Sequence, residues 1–192
     1  MSPRAYRQSK RAVSVEETKS RIRAAALAEY ADVGIDAASM QAIARRADVA
    51  PGTVLYHYPD PVELAADVIA RRIDEVRVPT VEDIRVDTPL PERIERLTRE
   101  MFRVYAATDL EYQTWTRSRD HPVMLRYERW YYDAYAAVLA AALGPRHSLP
   151  SDFQVISALI DPGFRAALLA RGMSEEEAAA TAARLAVVWL GD

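Results

Sequence analysis

The stretch Ser39-Met-Gln-Ala-Ile-Ala-Arg-Arg-Ala-Asp-Val-Ala-Pro-Gly-Thr-Val-Leu-Tyr-His-Tyr58 decides the fold. It reads as two short helices with a tight turn between them. Ser39 is placed to cap the first helix by accepting a hydrogen bond from a free backbone N–H. Met40, Ile43, Ala44 and Ala47 recur at spacings of three and four, so they share one buried face. Asp48-Val49-Ala50 breaks that period. Pro51 suits a first helical position, where its missing N–H costs nothing. The second helix is short, with Val54 as its inward anchor. Thr53, Tyr56 and His57 remain as polar-tipped side chains on its outer surface. A helix pair of this length fits a helix-turn-helix, whose second helix enters the DNA major groove.

Working outward, a first helix is expected from about Val15 to Val33, ended by Gly34 as a left-handed residue past its last turn. After the motif, Asp60-Pro61-Val62-Glu63 opens a fourth helix with an Asp cap, a Pro at the first position and a Glu reaching back. Leu64, Val68, Ile69, Ile73 and Val76 form its apolar stripe. Taken with Ile22, Ala25, Ala26, Tyr30 and Tyr58-Pro59, residues 15–70 resemble the amino-terminal domain of the TetR family of bacterial transcription regulators. The resemblance covers under a third of the chain. It implies an all-α protein of nine helices. An amino-terminal three-helix DNA-binding domain would be joined to a carboxy-terminal helical domain for ligand binding and dimerisation. The expected division is a basic arm over residues 1–14, the reader over 15–60 and the second domain over 61–192. In the family the fourth helix joins reader to sensor, and its tilt changes when ligand binds.

The chain has 192 residues, enough for a reader domain and a second helical domain. Its formal net charge is −3, which by itself does not point to nucleic acid. The distribution does: residues 1–58 carry nine basic and six acidic side chains, the remainder 16 and 22. Arg4, Arg7, Lys10 and Arg11 precede the first acid, Glu16, and suit an arm that neutralises phosphates or enters the minor groove. The absence of cysteine excludes disulfides and thiolate metal sites. No apolar run approaches the ~20 residues of a membrane span, and the first residues lack the apolar core of a signal peptide. A cytoplasmic protein without membrane partners is expected.

Beyond the fourth helix, Pro79, Pro89 and Pro91 make residues 79–91 a linker. A fifth helix carries Ile94, Leu97, Met101, Val104 and Tyr105, and a short segment spans Leu110–Ser118. A long helix opens at His121-Pro122 and ends before Gly144-Pro145. Another is expected from about Ser151 to Arg171, kinked at Asp161-Pro162-Gly163. The last starts with the capping box Ser174-Glu175-Glu176-Glu177 and ends near Trp189.

For DNA, Ser39 and Gln41 lie at the start of the first motif helix, and Gln41 can bond a base edge or a phosphate. The resemblance places Thr53 and Tyr56 near the groove and makes His57 a phosphate donor; Gly52 would allow close backbone approach. Two residues depart from the family pattern. Leu55 stands where a DNA-contacting tyrosine is most frequent, and Pro61 where a phosphate-binding lysine is usual. Both remove polar contacts, although Leu55 is suited to a thymine methyl. Ala50 replaces the usual Ser cap, at a cost of ~1 kcal/mol.

Nine of the chain's 16 aromatic residues fall between Phe102 and Tyr135. Buried phenols each need a polar partner, so such a cluster suits an apolar pocket that also orients a ligand. The expected lining is Met101, Tyr105, Tyr112, Trp115, Tyr127, Trp130, Tyr131 and Phe164. A stripe of aromatics at helical spacing is equally what a core uses. The resemblance implies a dimer through the last two helices, whose apolar faces include Ile156, Leu159, Ile160, Leu168, Leu185, Val188 and Trp189. The three histidines, His57, His121 and His147, are far apart and lack metal spacing, and there is no glycine-rich phosphate loop. No catalytic residue, cofactor or metal is expected. The expected function is a homodimeric repressor on double-stranded operator DNA, released by a small-molecule inducer. The competing readings are an activator or ligand-independent regulator, and an α-helical carrier or enzyme with a vestigial motif.

Overall fold

The computed structural model describes residues 3–191, with the side chains of residues 13–146 and 148–191. Among the described residues the chain is all-α: eleven α-helices and one 3-10 helix, with no strand. It divides into two compact units, Met1–Glu75 with Leu110–Tyr127, and Val76–Asp109 with Glu128–Asp192. The packing units therefore do not follow a boundary at residue 60.

The first unit contains α1 (Pro3–Val33), α2 (Met40–Arg46), α3 (Pro51–His57), α4 (Pro61–Glu75), nearly all of α7 (Asp109–Ser118) and the start of α8 (Pro122–Leu143). The first helix begins at Pro3 and not near Val15. Proline suits a helix start, and neither Gly nor Pro follows it before Gly34. The side chains of Arg4, Arg7, Lys10 and Arg11 lie outside the described residues. Ile22, Ala26 and Tyr30 of α1 meet Ile43 and Ala44 of α2, Val54 of α3, and Leu64, Val68 and Ile69 of α4 in one core. Gly34 adopts φ +87°, and a Cβ there would lie 3.2 Å from the Ser118 hydroxyl. That hydroxyl accepts a hydrogen bond from the Ile35 N–H at 2.8 Å and ties the α1–α2 connection to the end of α7.

The second unit holds α5 (Val81–Ile84), α6 (Leu90–Ala107), the rest of α8, the 3-10 helix Gly144–Ser148, α9 (Pro150–Leu159), α10 (Pro162–Leu169) and α11 (Glu175–Leu190). Ile94, Leu97 and Met101 of α6, Leu139 and Ala142 of α8, and Ala178, Ala182 and Ala186 of α11 fill its core. The alanine face of α11 lets α6 approach closely. Two helices beyond the expected nine are explained locally. Residues 79–91 contain α5, nucleated by a capping box in which the Asp83 carboxylate accepts from the Thr80 N–H and hydroxyl. The helix expected over 151–171 is broken, not merely kinked. A residue before proline avoids the helical region, and Asp161 is accordingly extended, at φ −71° and ψ 144°. Its carboxylate accepts from the Gly163 N–H at 2.6 Å and so caps α10.

Buried Arg165 fixes α10. It donates to Asp109 at 2.8 Å and pairs through two nitrogens with Glu175. Both acids are about half exposed while Arg165 is not, so water still solvates the negative side of the cluster.

Candidate nucleic-acid interface

The α2–turn–α3 segment forms as its sequence directs. Ser39 is extended, and its hydroxyl accepts from the Ala42 N–H at 3.1 Å. Asp48 turns the chain at φ +52°, a left-handed conformation that a short polar side chain tolerates. Ala50 occupies the cap position of α3 without a side-chain hydrogen bond, and Pro51 takes the first helical place. A helix of two turns is not stable alone. Val54, fully buried, is what holds this one to the core of the unit.

The outward face of α3 follows from that anchor. Leu55 is 50% exposed and Tyr56 78% exposed. Gly52 is also exposed, and Thr53 and His57 are half-buried. The Tyr56 ring meets His57 edge-on at 5.1 Å. A Cβ on Gly52 would meet nothing within 4 Å, so no packing inside the chain requires glycine there. Gln41 is exposed on α2, as is Arg45. Arg46 is committed elsewhere, to Asp32 at 2.6 Å and Glu29 at 3.2 Å of α1. Leu55, Tyr56, Gly52 and Gln41 are thus each exposed on the two motif helices. Pro61 and Val62 are exposed at the start of α4.

A partly buried polar cluster that the sequence pattern did not reveal joins α1, the end of α3 and α4. The Tyr58 hydroxyl donates to Asp67 of α4 at 2.5 Å, and Arg23 of α1 reaches both groups at 3.4 Å. Lys19 lies 5.1 Å from the centre of the Tyr58 ring. Burial, then the bond to Asp67, pushes the Tyr58 phenol up to about 12, so it stays a donor at neutral pH. Arg23 also pairs with Glu16 at 2.6 Å, which holds that carboxyl below its ordinary value. In the same unit Arg72 of α4 pairs with buried Glu111 of α7. Within its unit, α4 is therefore held to α1 near its middle and to α7 near its carboxy-terminal end. The Arg23–Tyr58–Asp67 and Arg72–Glu111 contacts join residues of different helices, so periodicity carries no signal for them.

The eight expected ligand-lining residues divide between the units. Met101 and Tyr105 are buried in the second core, with Tyr131 and Phe164 packed against it. The Tyr105 and Tyr131 hydroxyls are hydrogen-bonded at 2.5 Å, and Tyr131 stacks on Tyr135 at 5.8 Å. Trp130 is half-buried in the same unit. Trp115 and Tyr127 instead pack against the first core, and Tyr112 stacks on Trp115 at 5.9 Å. The second unit also has an open groove of 520 Å³ between α6 and α11, floored by Phe102 and Ala179 and rimmed by Arg99, Arg103 and Glu176. None of the eight lines it.

The expected dimer residues separate by burial. Ile156 and Ile160 are fully enclosed in the core of their own unit, so they cannot themselves present a surface to a partner. An apolar period marks a buried face without saying whose atoms bury it. Leu159 and Leu168 are half-buried, whereas Leu185, Val188 and Trp189 are exposed on α11, Val188 by 70%. The Trp189 indole N–H donates to Asp152 at 3.3 Å, which fixes its ring. Among the described residues no helix is long and apolar enough to cross a membrane, and no three His, Asp or Glu side chains gather as a metal site.

Compared with known proteins, residues 22–68 match the model for bacterial regulatory proteins of the tetR family. The fold is similar to that of a solved structure described as "the putative transcriptional regulator from Pseudomonas aeruginosa PAO1". The two are 19% identical over 90% of this chain and 88% of the other, with a TM-score of 0.61. A TetR transcriptional regulator from Rhodococcus sp. RHA1 is 21% identical over 90% of this chain and 96% of its own, with a TM-score of 0.44. Among curated proteins none matches the sequence.

Proposed function

We propose that the chain, whose residues 22–68 match the model for bacterial regulatory proteins of the tetR family, is a DNA-binding homodimeric repressor, held on a palindromic operator and released by a small apolar or aromatic ligand. The observation that carries the reading is the outward face of α3: Tyr56 is largely and Leu55 half exposed beside fully buried Val54. A helix so anchored presents its free face to a groove. Thr53 and Tyr56 read base edges, while Gln41 and His57 hold phosphates. Arg4, Arg7, Lys10 and Arg11 add affinity for any sequence.

One two-turn helix reads few base pairs, so tight binding needs a second copy one DNA turn away, ~34–36 Å. Leu185, Val188 and Trp189 on α11 supply the apolar contact between copies, with Leu159 and Leu168 at its margin. The ligand lies against the aromatic side chains of the second unit, among Tyr105, Trp130, Tyr131 and Phe164. By favouring a different spacing of the two readers it weakens operator binding, by no more than its own differential affinity for the two states.

A mobility-shift titration with fragments of the source genome tests the reading. The expected result is saturable, sequence-selective binding that weakens steeply with salt. Binding that is equal for all fragments, or none at low salt, would overturn it.

A further inference from the structure

The recognition helix is unusual in what it lacks. Over Pro51–His57 it carries no Arg, Lys, Asn, Gln, Asp or Glu. Those are the side chains that make bidentate or charge-assisted pairs with guanine, adenine and cytosine in the major groove. What α3 offers outward is one half-exposed leucine, a phenol, a hydroxyl, an imidazole and an open glycine. Of the groups lining the major groove only the thymine C5-methyl projects as an apolar group, cytosine carrying a bare C5–H in its place. An apolar side chain at the centre of a reading face therefore has one complementary group on the DNA. Leu55 occupies that centre: it follows anchored Val54, adjoins Tyr56, and leaves half of its surface exposed.

We propose that Leu55 is a specificity-determining residue, reading the C5-methyl of a thymine in each operator half-site. The inference rests on the DNA-binding reading above and deepens it by naming the base and the atom. Around that contact Thr53 and Tyr56 supply single hydrogen bonds. The operator is accordingly thymine-containing under α3, and its discrimination there is by shape and methyl burial rather than by paired donors and acceptors.

The test starts from duplexes selected from a random-sequence library by the intact protein. Each thymine of the recovered site is then replaced singly by deoxyuridine, which removes the methyl and leaves base pairing unchanged. At one thymine per half-site the replacement is expected to weaken binding about fourfold, the effect of withdrawing one buried methyl group. Leu55→Ala is expected to bind the unmodified duplex more weakly and to be indifferent to deoxyuridine at that position. Leu55→Ile, which keeps the apolar tip, is expected to retain sensitivity. If the wild-type protein tolerates deoxyuridine at every position, or Leu55→Ala keeps the wild-type sensitivity, the proposal is overturned while the regulator reading stands. If selection recovers no preferred sequence, the regulator reading fails and the proposal with it.

Discussion

Replacing Val54 and Tyr56 separately by alanine distinguishes what holds the recognition helix from what reads with it. Val54 is fully buried against α1, α2 and α4. Alanine removes two carbons, worth ~0.8 kcal/mol each, and incomplete collapse of the cavity raises the cost to about 2–3 kcal/mol. For a chain of this size each kcal/mol moves the melting temperature by roughly 2–4 °C, so a fall of about 5–10 °C is expected. Tyr56 is 78% exposed and buries little surface of its own. Its replacement should change stability by less than about 0.5 kcal/mol. A single neutral hydrogen bond is worth ~0.5–1.5 kcal/mol, so operator affinity should fall roughly 2- to 13-fold. Circular-dichroism melts and fluorescence anisotropy on a selected duplex measure the two quantities. The reasoning is refuted if Tyr56→Ala melts as early as Val54→Ala, or if it binds DNA as the wild type does.

Other consequences follow from the ion pairs and termini. Replacing Arg165 by methionine removes the buried member of its cluster and leaves Asp109 and Glu175 in water, so a cost near ~1 kcal/mol is expected in urea unfolding. Replacing both acids by alanine strands a buried guanidinium and should cost about 3 kcal/mol; the reverse order would contradict the assignment. Hydrogen bonds hold the carboxyls of Glu16, Asp83 and Glu177 below their ordinary values. Their contribution to stability is complete above the unfolded-state value, 4.5 for the two glutamates and 3.8 for Asp83, and is lost as pH falls through the lower folded-state values. An acid titration of Glu177→Gln should therefore be flatter than that of the wild type. Deleting residues 1–11 should weaken binding to all DNA alike and lower the salt slope by about 0.9 for each phosphate no longer neutralised. An unchanged slope would separate Arg4, Arg7, Lys10 and Arg11 from the interface.

Local physics made much of this fold legible. Ser39, Gly34, Pro51 and Ser174 act within one turn of themselves, and each is found starting, capping or ending the helix its chemistry suits. Val54 was readable as an anchor because a short helix has one inward position. The break at Asp161 was half legible: the proline announced a defect, but the aspartate's capping bond turned a kink into two helices. What periodicity cannot carry is the identity of the burying surface. Ile156 and Ile160 repeat like an interface stripe and are enclosed by their own unit. The aromatic residues near one another in sequence likewise divide between two cores, because α7 and the first turns of α8 pack with the reader. The Arg23–Tyr58–Asp67 cluster joins three helices across spacings that no local rule predicts.

The central claim is that two recognition helices grip one operator together. Hydroxyl-radical footprinting of the complex on a selected duplex, with its stoichiometry from sedimentation, tests that most directly. The account predicts two protected half-sites with centres about 10–10.5 base pairs or a multiple apart, related by inverted symmetry, with one chain per half-site. A single unsymmetrical footprint bound by one chain would contradict it.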